Sequence, residues 1–161
     1  MNLLIVGINH TSAPVELREK VALTPLQLSD ALQSLACLAG LAEVAVLSTC
    51  NRTEIIATVE NVDEIKVIEW LATYHSMPVN NLQPSIYVKR NKQAAHHAVR
   101  VACGLDSMVI GEPQILGQVK DAYDHASQIG TLGSELHQLS QNTFRIAKRV
   151  RSETAIGESS V

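Results

Sequence analysis

Aromatic residues are scarce in this chain: one Phe, one Trp and three Tyr make up 3% of its 161 residues. A core must therefore be assembled from Leu, Val, Ile and Ala, and the 46% hydrophobic content is ordinary for a soluble protein. Cysteine is scarce too. Three of them, an odd number with no CxxC and no framework spacing, exclude a disulfide scaffold and point to a reducing, cytoplasmic setting. Positive charge is not in excess: the formal net charge is -3, whereas a dedicated nucleic-acid-binding domain is more often basic. There is no HExxH, so a metal site has little support, and no GxGxxG or P-loop, so no recognisable site for a dinucleotide or for ATP. No apolar run approaches the length of a membrane span, and Met1-Asn2 leads into an apolar segment without the basic start of a signal peptide. A local basic group, Arg145, Lys148, Arg149 and Arg151, is a candidate for RNA contact, against the more ordinary reading of a solvated helix face.

What is present is organised around Ser48-Thr49-Cys50-Asn51-Arg52-Thr53-Glu54. The apolar stretches at 44–47 and 55–59 flanking it are short and rich in β-branched residues, so they read as strands and the polar stretch as a hairpin turn. Asn51 is the residue there most tolerant of a left-handed conformation. A cysteine at a turn is oddly placed for packing, since free Cys is usually buried and a turn faces solvent. Arg52 nearby favours the thiolate, the form that attacks carbonyl carbon. The bland alternative is a half-buried cysteine at a strand end.

Residues 3–8 form a continuous apolar run, a central buried strand. A polar loop at 9–14 and a short helix at 15–21 follow. Thr24-Pro25 starts a helix, with a capping hydroxyl and Pro at the first position. Leu28, Leu32 and Leu35 face a core, and Gly40 ends the helix. After the two strands around Cys50 come a helix over 61–75, with Ile65, Ile68, Leu71 and Ala72 in one stripe, and a strand at 85–88. The order strand, helix, strand, strand, helix, strand predicts an α+β fold: a ferredoxin-like βαββαβ antiparallel sheet with both helices on one face. This core spans 1–90. Residues 91–154 read as a helical subdomain: Asn91 caps a helix reaching Cys103, a loop covers 104–112, Pro113 opens a second helix, and Ser134 caps a third. Residues 155–161 lose periodicity and read as a linker.

Cys37 and Cys103 read as core residues; Cys50 alone has a polar, cation-bearing neighbourhood. A cysteine nucleophile often exchanges protons with a histidine. His96 and His97 fall at opposite edges of one helix's apolar arc, and helical geometry does not choose between them. His10, in the loop after the first strand, is a third candidate, while His75, His125 and His137 look like surface residues.

Several motifs then converge. The opening Gly7-Ile8-Asn9-His10-Thr11-Ser12-Ala13-Pro14-Val15-Glu16-Leu17-Arg18-Glu19, the stretch Leu47-Ser48-Thr49-Cys50-Asn51-Arg52-Thr53-Glu54, and the block from His97 through Gly104-Leu105-Asp106-Ser107-Met108-Val109-Ile110-Gly111-Glu112-Pro113-Gln114 to Lys120 resemble the N-terminal catalytic domain of glutamyl-tRNA reductases. The resemblance covers essentially the whole chain. One departure is Ala98-Val99 after His97, where the family has larger apolar side chains.

The resemblance implies a family that reduces the glutamyl ester of tRNA(Glu) to glutamate-1-semialdehyde, the first committed step of tetrapyrrole (porphyrin and haem) synthesis. It implies Cys50 as nucleophile forming a thioester, and His97 as the histidine that polarises the carbonyl or handles protons. It implies glutamate recognition by Thr49, Asn51, Arg52, Ser107, Glu112, Pro113, Gln114 and Gln118. Arg52 would meet the side-chain carboxylate, since a planar fork binds carboxylate bidentately. NADPH would be bound by a Rossmann domain outside this chain, to which 155–161 would lead, and no metal is implied. A C-terminal helical domain would make the full-length protein a homodimer, with glutamyl-tRNA(Glu) and glutamate-1-semialdehyde aminomutase as partners and no membrane contact. Two other readings compete: a cofactor-free cysteine hydrolase or acyltransferase, for which no third orienting group is evident, and a non-catalytic ferredoxin-like binding module.

Overall fold

All eight residues of strand β3, Arg52–Val59, are buried. A strand with one wet face would alternate, so β3 must be central and covered on both sides. The computed structural model describes residues 2–154 and shows how. Strands β1 (Asn2–Asn9), β2 (Leu41–Ser48), β3 and β4 (Tyr87–Arg90) form one four-stranded sheet in the order β2-β3-β1-β4. Every pairing is antiparallel. This is the expected ferredoxin-like arrangement.

Helices α1 (Val15–Val21) and α2 (Pro25–Ala36) lie between β1 and β2; α3 (Glu64–Tyr74), α4 (Val79–Leu82) and a 3-10 turn (Gln83–Ser85) lie between β3 and β4. Thr24 and Gln27 form a reciprocal capping box at the start of α2, and Asp63 caps α3. The two helices are tied by Trp70 Nε1 donating to Ser34 Oγ at 2.8 Å and Tyr74 Oη to Asp30 Oδ2 at 3.1 Å. The chain then forms α5 (Asn91–Ala102), α6 (Ile115–Ile129) and α7 (Ser134–Glu153). Over the row of β3 side chains that begins with Arg52 and Glu54, α5 bonds Glu54 through His97, while α7 bonds Glu43 of β2, which in turn accepts from Thr58 Oγ1 of β3. One hydrophobic cluster of Leu, Val, Ile and Ala runs from Leu4 to Ala147. Edge strand β2 is closed by Thr131, whose carbonyl accepts from Val44 N at 3.0 Å and whose hydroxyl donates to Val44 O at 2.8 Å.

Several local expectations are corrected. Ser134 does not cap α7: the N-cap is Gly133, and the side chain that meets the helix end is Glu43, whose Oε1 accepts from Leu136 N at 3.0 Å. A buried carboxylate there satisfies a free helix N–H and complements the helix dipole. It also leaves Gly133 no room for a Cβ, which would sit 2.5 Å from Glu43 Oε1. Asn51 is not left-handed. Asn91 is, at φ 51, and its Oδ1 accepts from Leu3 N at 3.1 Å, so the side chain ties α5 to β1 rather than capping α5. Helix α6 begins at Ile115, after Pro113 and Gln114 have made a turn. Helix α2 ends at Ala36, so Cys37 lies past its last turn and is exposed rather than core, and Gly40 belongs to the turn entering β2. His75 and His125 are half-buried, the latter hydrogen-bonded to Ser29 at 2.9 Å. The stretch 155–161 lies outside the described residues.

Candidate active site

The β2–β3 connection is residues 49–51, and it is held from within. Thr49 N donates to Arg52 O at 2.8 Å, while Thr49 Oγ1 accepts from the N–H groups of Asn51 (3.2 Å) and Arg52 (3.3 Å). Such hydroxyl-to-backbone bonds fix a turn locally. At the base of the hairpin Ser48 Oγ lies 3.1 Å from Thr53 Oγ1 and accepts from Leu23 N at 2.9 Å. Cys50 therefore sits exposed on a fixed bend, the accessibility a nucleophile requires.

Strand alternation sends Arg52 and Glu54 to the same face, under the C-terminal helices. Arg52 is 2% exposed. Its Nη1 donates to Glu54 Oε2 at 3.2 Å and its Nη2 to Asp106, at 3.0 Å from Oδ2 and 2.5 Å from the main-chain oxygen. The guanidinium is thus engaged inward, by residues of this chain. Glu54 Oε2 also accepts from His97 Nε2 and from Tyr87 Oη. Burial pushes the Glu54 carboxyl up, but the His97 hydrogen bond and charge, the Arg52 charge and the Tyr87 hydrogen bond together bring it below the usual carboxylate range. Tyr87 moves the other way: burial and the Glu54 charge push its hydroxyl far up, so it remains a donor. Because a carboxylate can only accept, His97 Nε2 carries the proton in this bond, and Nδ1 is the nitrogen left for exchange. Of the two neighbouring histidines, His97 is buried and His96 exposed. Glu54 is the group that orients the histidine, which sequence reasoning did not find.

Gly7 makes the cluster possible. It pairs with Glu54 on one side and Tyr87 on the other. A Cβ there would meet Thr53 O at 2.7 Å, Glu54 Cγ at 2.9 Å and Tyr87 Oη at 3.1 Å. Asn9, two residues on, donates from Nδ2 to Asp106 Oδ2 at 3.3 Å and holds Thr11 N and Ser12 N through Oδ1. His10 is half-buried with Nδ1 unpartnered; burial, then the Arg52 and Arg18 charges, lower its pKa against an opposing Asp106.

The loop between α5 and α6 closes on itself. Gly104 and Gly111, both at φ 80, bring Gly111 N to 2.9 Å from Gly104 O. Arg151 clamps the loop, donating from Nη2 to Glu112 O at 2.8 Å and Ala102 O at 3.4 Å. Of the four cations near the C-terminus, Arg151 is thereby occupied, while Arg145, Lys148 and Arg149 are exposed, Arg149 paired with Glu153. The loop's tip, Met108, Val109 and Ile110, is exposed.

Two cavities meet at this turn. One of about 340 Å³ is lined by Asn51, Met108, Val109, Glu112, Pro113 and Gln114. The other, of about 540 Å³, is lined by Val15, Arg18, Glu19, Ala22, Cys50, Asn51 and Met108. Both share Asn51 and Met108. Of the residues the resemblance implied for glutamate, four line the first cavity. Thr49 instead braces the turn, and Arg52 lies beneath it. Ser107 is half-buried beside Asp106. Gln118 is exposed and opens into a separate cavity with Ser48 and His125. Glu54, Tyr87, Asp106 and Asn9 were missed as site residues; Asn9, Glu54 and Asp106 lie within the stretches that carry the family resemblance, and Arg52 and Glu54 alternate on one strand.

The Gly104–Gly111 turn gives a dinucleotide no cradle. At Gly104 a Cβ would lie 3.0 Å from both Arg151 Nη2 and the Gly111 Cα, so this glycine turn is closed against the protein rather than open to a phosphate. Among the described residues no group of three or more His, Cys, Asp or Glu side chains is placed to hold a metal ion, and no helix is long and apolar enough to cross a membrane.

A ferredoxin-like sheet carrying an exposed thiol on a braced turn, above a buried Glu-His-Arg-Tyr cluster, defines an α+β domain with a thiol site at the end of its sheet. Residues 6–154 match the family described as "Glutamyl-tRNAGlu reductase, N-terminal domain". The chain is 52% identical over 161 residues to the glutamyl-tRNA reductase of Chromohalobacter salexigens and 51% identical over 162 residues to that of Hahella chejuensis, covering all of this chain and 38% of each relative. A solved structure, "Glutamyl-tRNA Reductase from Methanopyrus kandleri", superimposes with a TM-score of 0.84 at 34% identity over 99% of this chain and 36% of that one. The chain belongs to the glutamyl-tRNA reductase family, as its N-terminal domain. It spans a little over a third of the length of the relatives it matches.

Proposed function

We propose that this chain is the acyl-transfer part of a glutamyl-tRNA reductase in tetrapyrrole synthesis. The observation that carries the reading is Cys50: exposed, fixed on a turn braced by Thr49, at the wall of a cavity that meets at Asn51 a second one offering Glu112 and Gln114 beside Met108, Val109 and Pro113. An ester is a poor hydride acceptor because its alkoxy oxygen donates into the carbonyl. Attack by the Cys50 thiolate replaces that oxygen with sulfur, giving a more electrophilic thioester and freeing tRNA. Asn51, Glu112 and Gln114 provide polar groups for the glutamyl amine and carboxylate. Arg52, in this reading, meets the glutamyl carboxylate only after Asp106 gives way. His97, oriented by Glu54, exchanges a proton through Nδ1. NADPH supplies hydride in the family's overall reaction; the Gly104–Gly111 turn does not fit it, and no step through it is assigned to this chain. In the same reading 1–90 is the catalytic core, 91–154 completes the substrate site, and dimerisation and aminomutase contact belong to the rest of the protein.

The test is to incubate the chain with glutamyl-tRNA(Glu) and examine it by mass spectrometry. A glutamyl adduct on Cys50, released by hydroxylamine and absent in Cys50→Ser, is expected; no adduct on the wild-type chain overturns the reading. One observation favours a second reading. Glu54 orients His97, which supplies the third member a cofactor-free cysteine hydrolase needs. Many turnovers of hydrolysis without a nicotinamide would support it.

A further inference from the structure

One histidine at the site is left without a task. The β1–β3 ladder ends at the pair Asn9 and Arg52, so the next residue of each strand, His10 and Asn51, leaves the sheet at the same end, beside Cys50. The backbone around His10 is fixed. Asn9 Oδ1 accepts from Thr11 N at 2.9 Å and Ser12 N at 3.0 Å, Asn9 O accepts from Ala13 N at 3.0 Å, and Ser12 Oγ accepts from Asn9 N at 2.9 Å. The ring itself is unclaimed. It makes no hydrogen bond or ion pair among the described residues, and its Nδ1 is enclosed without a partner. A native fold seldom leaves an enclosed ring nitrogen unpaired where packing is its only purpose.

Three elements bring charge to that ring: Arg18 of α1, Arg52 of β3 and Asp106 of the 104–112 loop. Arg18 also reaches the thiol turn. Its Nη1 makes a long bond of 3.5 Å to Asn51 Oδ1, and it shares a cavity wall with Cys50. Burial and the two guanidinium charges keep the imidazole neutral near pH 7, with a lone pair able to take a proton. Asp106, whose charge pulls the other way, steadies the ring once it has taken one. His97 is placed otherwise: its Nε2 is committed to Glu54, two residues further along β3 than Arg52. Acyl transfer needs a proton carrier twice. The thiol proton leaves as Sγ becomes the nucleophile. A C–S bond then forms at the ester carbon, and the bond from that carbon to the ribose oxygen breaks. The electron pair leaves on that oxygen, which takes up a proton to become a hydroxyl. One proton is released and one consumed, so a single base beside the sulfur can carry it between them.

We propose that His10 is the catalytic base of the acyl transfer, taking the Cys50 thiol proton at Nε2, the nitrogen that is not enclosed, and handing it to the departing hydroxyl oxygen. His97 keeps its own exchange through Nδ1. The inference rests on the reading of Cys50 as the acceptor of the glutamyl group, and its test separates the two.

Acylation of Cys50 in the 161-residue chain is timed by mass spectrometry with two donors. Glutamyl-tRNA(Glu) has a leaving oxygen that must be protonated; the p-nitrophenyl α-ester of glutamate has one that departs as the anion. His10→Gln should slow the first donor by roughly 10²-fold and the second by clearly less. Between about pH 5 and pH 8 the parent rate should level off above the titration of the imidazole, whereas the His10→Gln rate should keep climbing with pH. Added imidazole should restore part of the rate in His10→Ala, which a residue of merely structural use would not allow. An unchanged rate in His10→Gln, or equal slowing of both donors without rescue by imidazole, overturns the role of His10 and leaves the thioester standing. A parent chain that takes no glutamyl group from either donor sinks the thioester reading, and His10 with it. One measurement needs no variant to fold. The ring ¹⁵N signals of His10 in the parent should move when Cys50 is alkylated with iodoacetamide, and signals that stay in place overturn the proposal.

Discussion

Asp106 and Arg52, 54 residues apart in sequence, meet at a double contact: the carboxylate lies 3.0 Å and the main-chain oxygen 2.5 Å from one guanidinium nitrogen. This pins the 104–112 loop onto the sheet next to the thiol turn. The Asp106 side chain is 27% exposed, so the ion pair by itself adds little. Arg52 is almost wholly buried, and removing a partner from a buried charge is what costs.

Asp106→Ala is accordingly expected to destabilise the chain by about 1–3 kcal/mol, the range for stranding a buried polar group. Asp106→Asn, which keeps an acceptor, should cost less. Native-state hydrogen exchange locates the effect. The amides of Gly111 and Glu112, bonded to Gly104 O at 2.9 Å and Val109 O at 3.1 Å, should exchange faster while β3 amides do not. Unchanged exchange in this loop would show that Asp106 does not hold it.

Acid stability is expected to depend on Glu54. Its carboxyl lies below the ordinary value of 4.5 in the folded chain, because the His97, Arg52 and Tyr87 contacts outweigh the upward push of burial. Between the depressed value and 4.5 the unfolded chain binds more protons, so stability rises with pH. The contribution is complete above about pH 4.5 and is lost as pH falls through the folded value. Glu54→Gln should flatten this acid limb in urea titrations run from pH 3 to pH 7. It should also cost about 3–5 kcal/mol at neutral pH by breaking a buried pair. A wild-type limb as steep in Glu54→Gln as in the parent would assign the acid sensitivity elsewhere.

The sheet order was legible because apolar runs at 3–8, 44–47 and 55–59 are short, and because Thr24-Pro25 and Met77-Pro78 punctuate the helices between them. Cys50's exposure was legible for the same local reason: a polar stretch between two strands is a turn. What holds the buried cluster was not legible. Glu54 meets Tyr87 and His97 across 33 and 43 residues, and no periodicity encodes which side chains a fold brings together at such separations. Arg52 illustrates the limit. Two residues from the cysteine it reads as a cation at a turn, yet it is the first residue of β3 and points into the protein. The capping of α7 failed in the same way: Ser134 has the right chemistry locally, but Glu43 reaches the helix end from another strand.

Thiol chemistry should sort the three cysteines by burial. Cys37 and Cys50 are exposed and Cys103 is 1% exposed, its thiol pushed up by burial against the Arg151 and Arg100 charges. Iodoacetamide near neutral pH should therefore modify two thiols in the native chain and the third only in denaturant. The reading of Cys50 as a nucleophile adds that it should react faster than Cys37. Equal rates at the two exposed sites would argue for a thiol of ordinary reactivity on a binding module.

Gly7 offers the sharpest test of how tightly the buried cluster is built. It has ordinary strand conformation, so the reason for glycine is space. A Cβ would lie 2.7 Å from Thr53 O, which is backbone of the central strand and has nowhere to move. Gly7→Ala is expected to cost at least the roughly 1–3 kcal/mol of an overpacked core. It should do so by prising β1 from β3 where Glu54 meets Tyr87. The histidine reports this separately from stability. His97 Nε2–H, bonded to Glu54, should give a slowly exchanging imidazole proton signal in the parent. That signal should vanish or shift in Gly7→Ala under conditions where the variant is still folded. A folded Gly7→Ala chain with the signal unmoved would mean that the close approach at Gly7 does not set the Glu54–His97 geometry.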